Sequence, residues 1–155
     1  MLNKQEIKEK IALCVEELIE IDNRVVLCHT QKTSEGWKGN GVHHLDGDNG
    51  LQLKHIGTII KAVVKRKKLD VKLSITTSHY SMGRSITVLI KNDTTVGNDG
   101  LKRIYNVGTD NPLLTDKGRE VVVLIKHILA YFNYDSSDSM TDYYRVNYAD
   151  RVAFS

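Results

Sequence analysis

The sequence has 155 residues but only one proline, two cysteines and no long apolar run. A single proline excludes a proline-rich linker architecture. Two cysteines can build neither a disulfide framework nor a four-cysteine zinc site, which favours a reducing compartment. No apolar stretch approaches the ~18 residues of a membrane-spanning helix, and the first residues lack the apolar core of a secretory signal. We therefore expect a cytoplasmic protein that has no membrane partner.

The sequence also has almost no excess of positive over negative charge. Lys and Arg number 22 and Asp and Glu 19, so the formal net charge is +3. A dedicated nucleic-acid-binding domain is usually far more basic. Apolar residues make up 41% and charged residues 26% of the chain, which is typical of a folded protein rather than a disordered one. At this length we expect one domain.

Apolar residues at helical spacing predict three helices. The first begins near Asn3, which has capping-box spacing to Glu6. The second spans about residues 51–69, and the third follows an N-cap at Thr115. In the first helix we interpret Cys14 as a buried, small apolar residue. We interpret the acidic residues of this helix as an exposed face; they include Glu16, Glu17 and Glu20.

Residues that alternate between apolar and polar predict the strands. Residues 71–77 and 85–90 form a hairpin through the six-residue connection at residues 78–83, and residues 24–30 and 143–152 are two further strand candidates. Residues 101–107 are predicted to be a short extended piece. The expected fold is a single α+β domain in which a small antiparallel sheet packs with about three helices. Residues 51–155 form its core, and residues 1–50, a helix and an irregular His- and Gly-rich segment, elaborate it.

The His- and Gly-rich segment contains the most specific candidate for a metal site in the sequence. Two adjacent imidazoles and two carboxylates lie within six residues, from His43 to Asp48, and can converge on a divalent ion. A thiolate and an imidazole precede them, and another histidine opens the next helix, a combination that favours zinc. The candidate ligands are Cys28, His29, His43, His44, Asp46, Asp48 and His55. The alternative is a polar loop whose Asp and Gly residues form a turn.

The same phrase, His-His followed by Asp-Gly-Asp, resembles the opening of the HNH-type endonuclease signature. The resemblance implies that His43 helps to hold a metal ion and that His44 is the general base that activates water. The asparagine-rich continuation and the later histidine of that family are missing. His55 could replace that histidine only if its helix began unusually close to the pair. A degenerate metal-dependent DNA endonuclease is therefore the alternative function.

Two further segments are candidates for partner binding. The second helix ends in the cations Lys65, Arg66, Lys67 and Lys68. The helix dipole favours cations there, so a solvated helix end and a patch for phosphates or an acidic protein both explain them. Near the C-terminus tyrosines alternate with aspartates, as in many protein-binding surfaces. The candidates there are Tyr134, Asp135, Asp138, Asp142, Tyr143 and Tyr144. The alternative is that the tyrosines pack on the sheet.

Three phrases carry a wider resemblance: SHYSMGRSI at residues 78–86, the helix at residues 121–132, and NYDSSDSMTDYY at residues 133–144. They resemble the large polyvalent protein-associated domain of type 29, a module of phage and conjugative-element proteins. The similarity covers about two thirds of the chain. It implies an origin in a mobile genetic element and a small α+β fold.

Small stand-alone proteins of such elements are often anti-defence factors. We therefore expect a non-enzymatic, anti-CRISPR-like inhibitor, a monomer or a homodimer, that binds a host CRISPR effector nuclease in the bacterial cytoplasm. Zinc is its candidate cofactor, held as a structural ion. A basic nucleic-acid-binding module is an alternative function besides the endonuclease.

Overall fold

The computed structural model of the chain describes residues 2–22, 30–33, 36–45, 47, 49–81, 83–135 and 146–155. Within these residues three α-helices pack with a three-stranded mixed sheet, and three short strands form a second, smaller sheet. The predicted α+β class with three helices is confirmed. Among the described residues no helix is long and apolar enough to cross a membrane.

Side-chain hydrogen bonds cap the first turns of the first and third helices. Helix α1 spans Lys4–Asp22, and the Asn3 Oδ1 accepts the Glu6 backbone N–H at 2.8 Å. Helix α2 spans Leu53–Arg66, and helix α3 spans Asp116–Tyr131. The Thr115 hydroxyl oxygen accepts the Gly118 backbone N–H at 3.0 Å. Both predicted N-caps are confirmed, because each bond satisfies a backbone donor that the first helical turn leaves unpaired.

The larger sheet contains the predicted hairpin. In chain order the strands of the smaller sheet are β1 (Thr30–Thr33), β2 (Gly36–Gly39) and β5 (Tyr134–Asp135). The hairpin strands are therefore β3 (Leu73–Tyr80) and β4 (Gly83–Ile90). They pair up to Tyr80 opposite Gly83, so two residues separate the strands instead of the predicted six. The polar residues that suggested a loop extend β3, because their alternating side chains point to solvent and leave the backbone free to pair.

Strand β6, Ala149–Phe154, pairs in parallel with β4, so the sheet order is β3-β4-β6 and the sheet is mixed rather than wholly antiparallel. Parallel neighbours need a long crossover, and the connection through α3 supplies it. This strand begins at Ala149, later than the strand predicted at 143–152. Residues 143–145 lie outside the described residues. The extended piece predicted at 101–107 is partly a 3₁₀ helix, Asp99–Arg103, because the Asn98 Oδ1 accepts the Gly100 N–H and caps a turn.

The smaller sheet attaches the Gly-rich segment to the end of α3. Strands β1 (Thr30–Thr33) and β2 (Gly36–Gly39) form an antiparallel hairpin, and β2 pairs with β5 (Tyr134–Asp135). The Gly39 N–H donates to the Asn133 carbonyl at 2.8 Å, and a Cβ at Gly39 would lie 2.2 Å from the Ala130 carbonyl oxygen. Only glycine allows this approach. Apart from residue 30, the strand predicted at 24–30 lies outside the described residues.

One hydrophobic core joins all three helices to the larger sheet. Helix α1 contributes Cys14, which is 0% exposed, as predicted for a small apolar residue. Burial, and after it the nearby Glu17 carboxylate, raises the pKa of the Cys14 thiol to about 12. The thiol is therefore protonated at neutral pH, and the side chain packs in the core as a small apolar group. The centre of the core comes from α2, β4 and α3, including Ile56, Ile60, Val63, Ile86, Val88, Ile125 and Ile128.

Candidate functional site

The His43–His44 pair lies on a 3₁₀ helix, Val42–Leu45, that follows β2. His43 is exposed and His44 is buried, with their ring centroids 4.0 Å apart. The His44 Nε2 lies 3.0 Å from the Glu17 Oε1 on α1. One of the two ring nitrogens of His44, Nε2, is therefore engaged by a carboxylate of the protein.

Glu17 is the centre of a small polar cluster. The Tyr131 hydroxyl of α3 donates to the same Oε1 at 2.5 Å. Burial by itself raises the pKa of Glu17, but the hydrogen bonds from Tyr131 and His44 outweigh it and lower that pKa. Burial, and after it the Glu17 carboxylate, raises the pKa of Tyr131. The cluster connects α1, the 3₁₀ helix and α3, so Glu17 is not part of the exposed face that was predicted.

His55 has a different partner. Its Nδ1 accepts the Gln52 backbone N–H at 2.8 Å, so the imidazole caps the first turn of α2. Burial, and after it the neighbouring Lys54, lowers the pKa of His55. The spacing of Gln52 and His55 is that of a capping box, which the sequence could have revealed.

Two of the three described metal candidates, His44 and His55, thus bond to different groups of the protein. Within the described part of the chain no three His, Cys, Asp or Glu side chains are grouped so that they could hold a metal ion. Four of the seven candidates, Cys28, His29, Asp46 and Asp48, lie outside it. Zinc binding therefore stays a prediction, and metal analysis of the purified protein tests it directly.

A long groove runs between the exposed side of α2 and strand β3. Three adjoining cavities of about 770, 230 and 540 Å³ form it. The first and second share Lys54 and Thr77, and the second and third share Lys61. We call this the α2–β3 groove. Its described residues run from Arg84 and His79 at one end, past Ile75 in the middle, to Lys72 at the other.

The rim of the α2–β3 groove is basic. Lys54, Lys61 and Lys65 are seven and then four residues apart, so they lie on one side of α2. Lys72 continues the row beyond the helix, and none of the four ammonium groups has a carboxylate partner in the described part of the chain. Asp70 is the one carboxylate among the described lining residues.

The four consecutive cations that the sequence singled out do not share one face, because successive helical residues point about 100° apart. Lys65 lines the groove, whereas the Arg66 Nη1 donates to the Glu16 Oε1 of α1 at 2.6 Å. Lys67 lines a further cavity of about 320 Å³ beside α3, which meets the groove at Leu69, and Lys68 follows the helix end with a left-handed φ of 57°.

Arg84 fixes the hairpin end of the groove. Its Nε donates to the Asn147 carbonyl at 2.9 Å, and its Nη2 donates to the Asn147 Oδ1. The Asn147 amide in turn donates to the Phe132 carbonyl at 2.8 Å. These bonds hold a cation at a defined place. The sequence did not reveal Arg84, because its partner Asn147 is 63 residues away. It did not reveal Lys54 either, because Lys54 lies outside the run of four consecutive cations.

The floor of the α2–β3 groove is largely apolar. Leu69, Val71, Leu73 and Ile75 line it, and Gly57 lets α2 approach Ile75 closely: a Cβ there would lie 3.1 Å from the Ile75 Cγ2. Its described lining contains no Phe, Trp or Tyr side chain. The groove thus combines an apolar floor with a basic rim.

The tyrosine-rich candidate surface is only partly described. Tyr134 and Asp135 lie in β5 and pair with β2. Asp138, Asp142, Tyr143 and Tyr144 lie outside the described residues, so their role in partner binding stays a prediction. Two neighbouring tyrosines, Tyr131 and Tyr148, are buried, as the packing alternative expected.

Comparison of the chain with protein-family models, with curated proteins and with solved structures finds no match. The resemblance to the type 29 domain, and the mobile-element origin that it implies, therefore stay predictions. The α2–β3 groove is the basis for inferring the function.

Proposed function

We propose that the protein is a non-enzymatic binding module that holds an acidic segment of a partner protein in the α2–β3 groove. The observation that carries this proposal is the row of Lys54, Lys61, Lys65 and Lys72, four cations along one groove that have no carboxylate partner among the described residues. Unneutralised charges of one sign beside an apolar wall attract and orient a partner of the opposite sign.

The composition of the groove favours a protein over a nucleic acid. An apolar centre with a charged rim is the usual anatomy of a protein interface. Proteins that bind single-stranded nucleic acid usually combine a basic groove with aromatic side chains on which the bases stack, and the described lining has no Phe, Trp or Tyr ring. A net charge of +3 is also small for a protein that binds duplex backbones. The nucleic-acid-binding module is therefore the rival that the experiment has to exclude.

For the partner, the resemblance to phage and conjugative-element proteins supports a host defence nuclease, with a CRISPR effector as the first candidate. An inhibitor of this type would cover an acidic functional surface of the nuclease. Purified effector nucleases should lose cleavage activity when the protein is added, without any turnover by the protein itself. Metal-dependent cleavage of plasmid by the protein alone, lost in His44→Ala, would instead support the endonuclease alternative.

The groove is tested with a labelled short peptide in which Glu alternates with Val, followed by fluorescence polarisation. The double variant Lys61→Glu/Lys65→Glu should weaken binding by at least about tenfold, which corresponds to about 1.4 kcal/mol. Both residues are exposed and lack described carboxylate partners, so the fold should be retained. Binding should also weaken as salt rises to about 0.15 M.

The matched control is Lys4→Glu/Lys8→Glu, which changes the net charge equally at exposed positions of α1 away from the groove. It should bind within about threefold of the unmodified protein. Equal losses in both variants would show that only net charge matters and would refute the groove. Tighter binding of a single-stranded or duplex oligonucleotide, lost in the groove variant, would replace the protein partner with a nucleic acid.

A further inference from the structure

Strand β3 is an edge of the larger sheet. The sheet order is β3-β4-β6, and among the described residues no strand pairs with the other side of β3. An unpaired edge presents backbone N–H and C=O groups that can pair with another chain. Here that edge lies along the α2–β3 groove, so any chain in the groove meets it.

The register of the hairpin identifies which backbone groups are unpaired. The Lys91 N–H donates to the Lys72 carbonyl at 2.9 Å, which makes these two residues a hydrogen-bonded pair. In an antiparallel ladder every second residue bonds its partner strand, and the residues between them direct both backbone groups outward. The outward set in β3 is Leu73, Ile75, Thr77 and His79.

The same four residues have side chains on the groove side of the sheet and line it. Resting on the proposed function, we infer that the acidic partner segment binds in an extended conformation and adds a strand to the edge of β3. Its backbone then pairs with the outward groups of β3, while its alternate side chains face α2. This mode of binding uses main-chain bonds for affinity and side-chain pockets for selectivity.

The spacing of the lysines suits such a segment. Alternate side chains of a strand are about 6.6–6.8 Å apart. Lys61 and Lys65 are four residues apart, which is about 6 Å along the helix axis. Lys54 lies a further seven residues back, about 10.5 Å away. Acidic side chains at alternate positions of an added strand can therefore pair with Lys61 and Lys65, whereas the gap to Lys54 is longer than one such step.

Charge complementarity selects this occupant over a second copy of the chain. Two copies that joined their β3 edges would bring two rows of lysines together, and repulsion between like charges opposes that pairing. An extended segment with Glu or Asp at alternate positions neutralises the row instead.

Backbone-methylated peptides test the added strand without changing the protein. The Glu–Val peptide is made in two forms, each N-methylated at one of the two sets of alternate amides, so that charge and length stay the same. Only one set can face β3, because alternate residues of a strand direct their amides to opposite sides. One form should lose at least about tenfold in affinity and the other less than about threefold. Equal affinities, or equal losses, would overturn the added strand.

Amide hydrogen exchange followed by NMR supplies a second readout on the protein. The amides of Leu73, Ile75, Thr77 and His79 should exchange at least about tenfold more slowly in the peptide complex, whereas those of Ser74, Thr76 and Ser78 are already bonded to β4 and should change little.

The two proposals fail separately. In one outcome, peptide binding depends on salt and is lost in Lys61→Glu/Lys65→Glu while the outward amides of β3 stay unprotected. That result would support the basic groove and refute the added strand. Concentration-dependent self-association through β3 in the absence of peptide, or protection of the same amides by an oligonucleotide, would also refute the acidic segment as occupant.

Discussion

Glu17 stands among the charged residues of α1, yet its carboxylate bonds two buried side chains. The Tyr131 hydroxyl and the His44 ring both contact its Oε1, at 2.5 and 3.0 Å. Glu16, one residue earlier, makes a surface ion pair with Arg66. Helical geometry explains the difference, because neighbouring residues point about 100° apart and only one of them can face the core.

The depressed pKa of Glu17 makes its contribution to stability depend on pH. A carboxyl whose pKa is lower in the folded state stabilises the fold above its unfolded value, here 4.5, and loses that effect as the pH falls through the folded value. Glu17→Gln should therefore lower the free energy of unfolding by about 1 kcal/mol at neutral pH, because it replaces charge-assisted bonds with neutral ones. Urea titrations at several pH values measure this difference, which should shrink below pH 4.5.

Glu16→Gln is the control for Glu17→Gln, since it removes the same charge from the same helix. An exposed ion pair contributes about 0–1 kcal/mol, so this variant should change stability less than Glu17→Gln does. A loss in Glu17→Gln that stays constant down to the acid transition would contradict the pKa argument.

The start of helix α3 is fixed by contacts that leave no room for a side chain at Gly118. The Thr115 hydroxyl caps the Gly118 N–H and donates to the Thr95 carbonyl at 2.5 Å. A Cβ at Gly118 would lie 1.9 Å from the Val96 carbonyl oxygen. Because the obstacle is backbone, the loop and the helix would have to separate.

Gly118→Ala should therefore destabilise the protein by about 1–3 kcal/mol, the usual cost of overpacking. Helix propensity alone predicts the opposite sign, a gain of about 1 kcal/mol. Guanidinium denaturation decides between them, with Glu120→Ala at an exposed position of the same helix as the near-neutral control. A more stable Gly118→Ala variant would show that the loop can move away at little cost.

The molecule as a whole is held by one core. Cys14, Val15 and Leu18 of α1 belong to the same cluster of buried residues as α2, α3 and the larger sheet. We expect residues 1–50 and 51–155 to unfold in one cooperative transition, with calorimetric and van't Hoff enthalpies that agree. Two separate transitions in the calorimetric trace would show that the N-terminal part folds independently.

Much of the fold could be predicted from local patterns. The caps at Asn3 and Thr115, the helical stripes and the hairpin depend on residues a few positions apart, and all of them are present. The site was harder to predict. The helical spacing of Lys54, Lys61 and Lys65 is visible in the sequence, but the strand on the other side of the groove is not.

The sequence by itself determined the α+β class, the helix starts and the burial of Cys14, because period, capping and hydrophobicity act over short distances. Tertiary structure alone decided which charges share a surface. The packing of α2 against β3 placed Lys65 in the groove and turned Arg66 towards Glu16. It also brought Glu17 into contact with His44, 27 residues away in the sequence, and with Tyr131, 114 residues away. Charge and hydrogen bonding depend on distance in space, and only the packed core sets those distances.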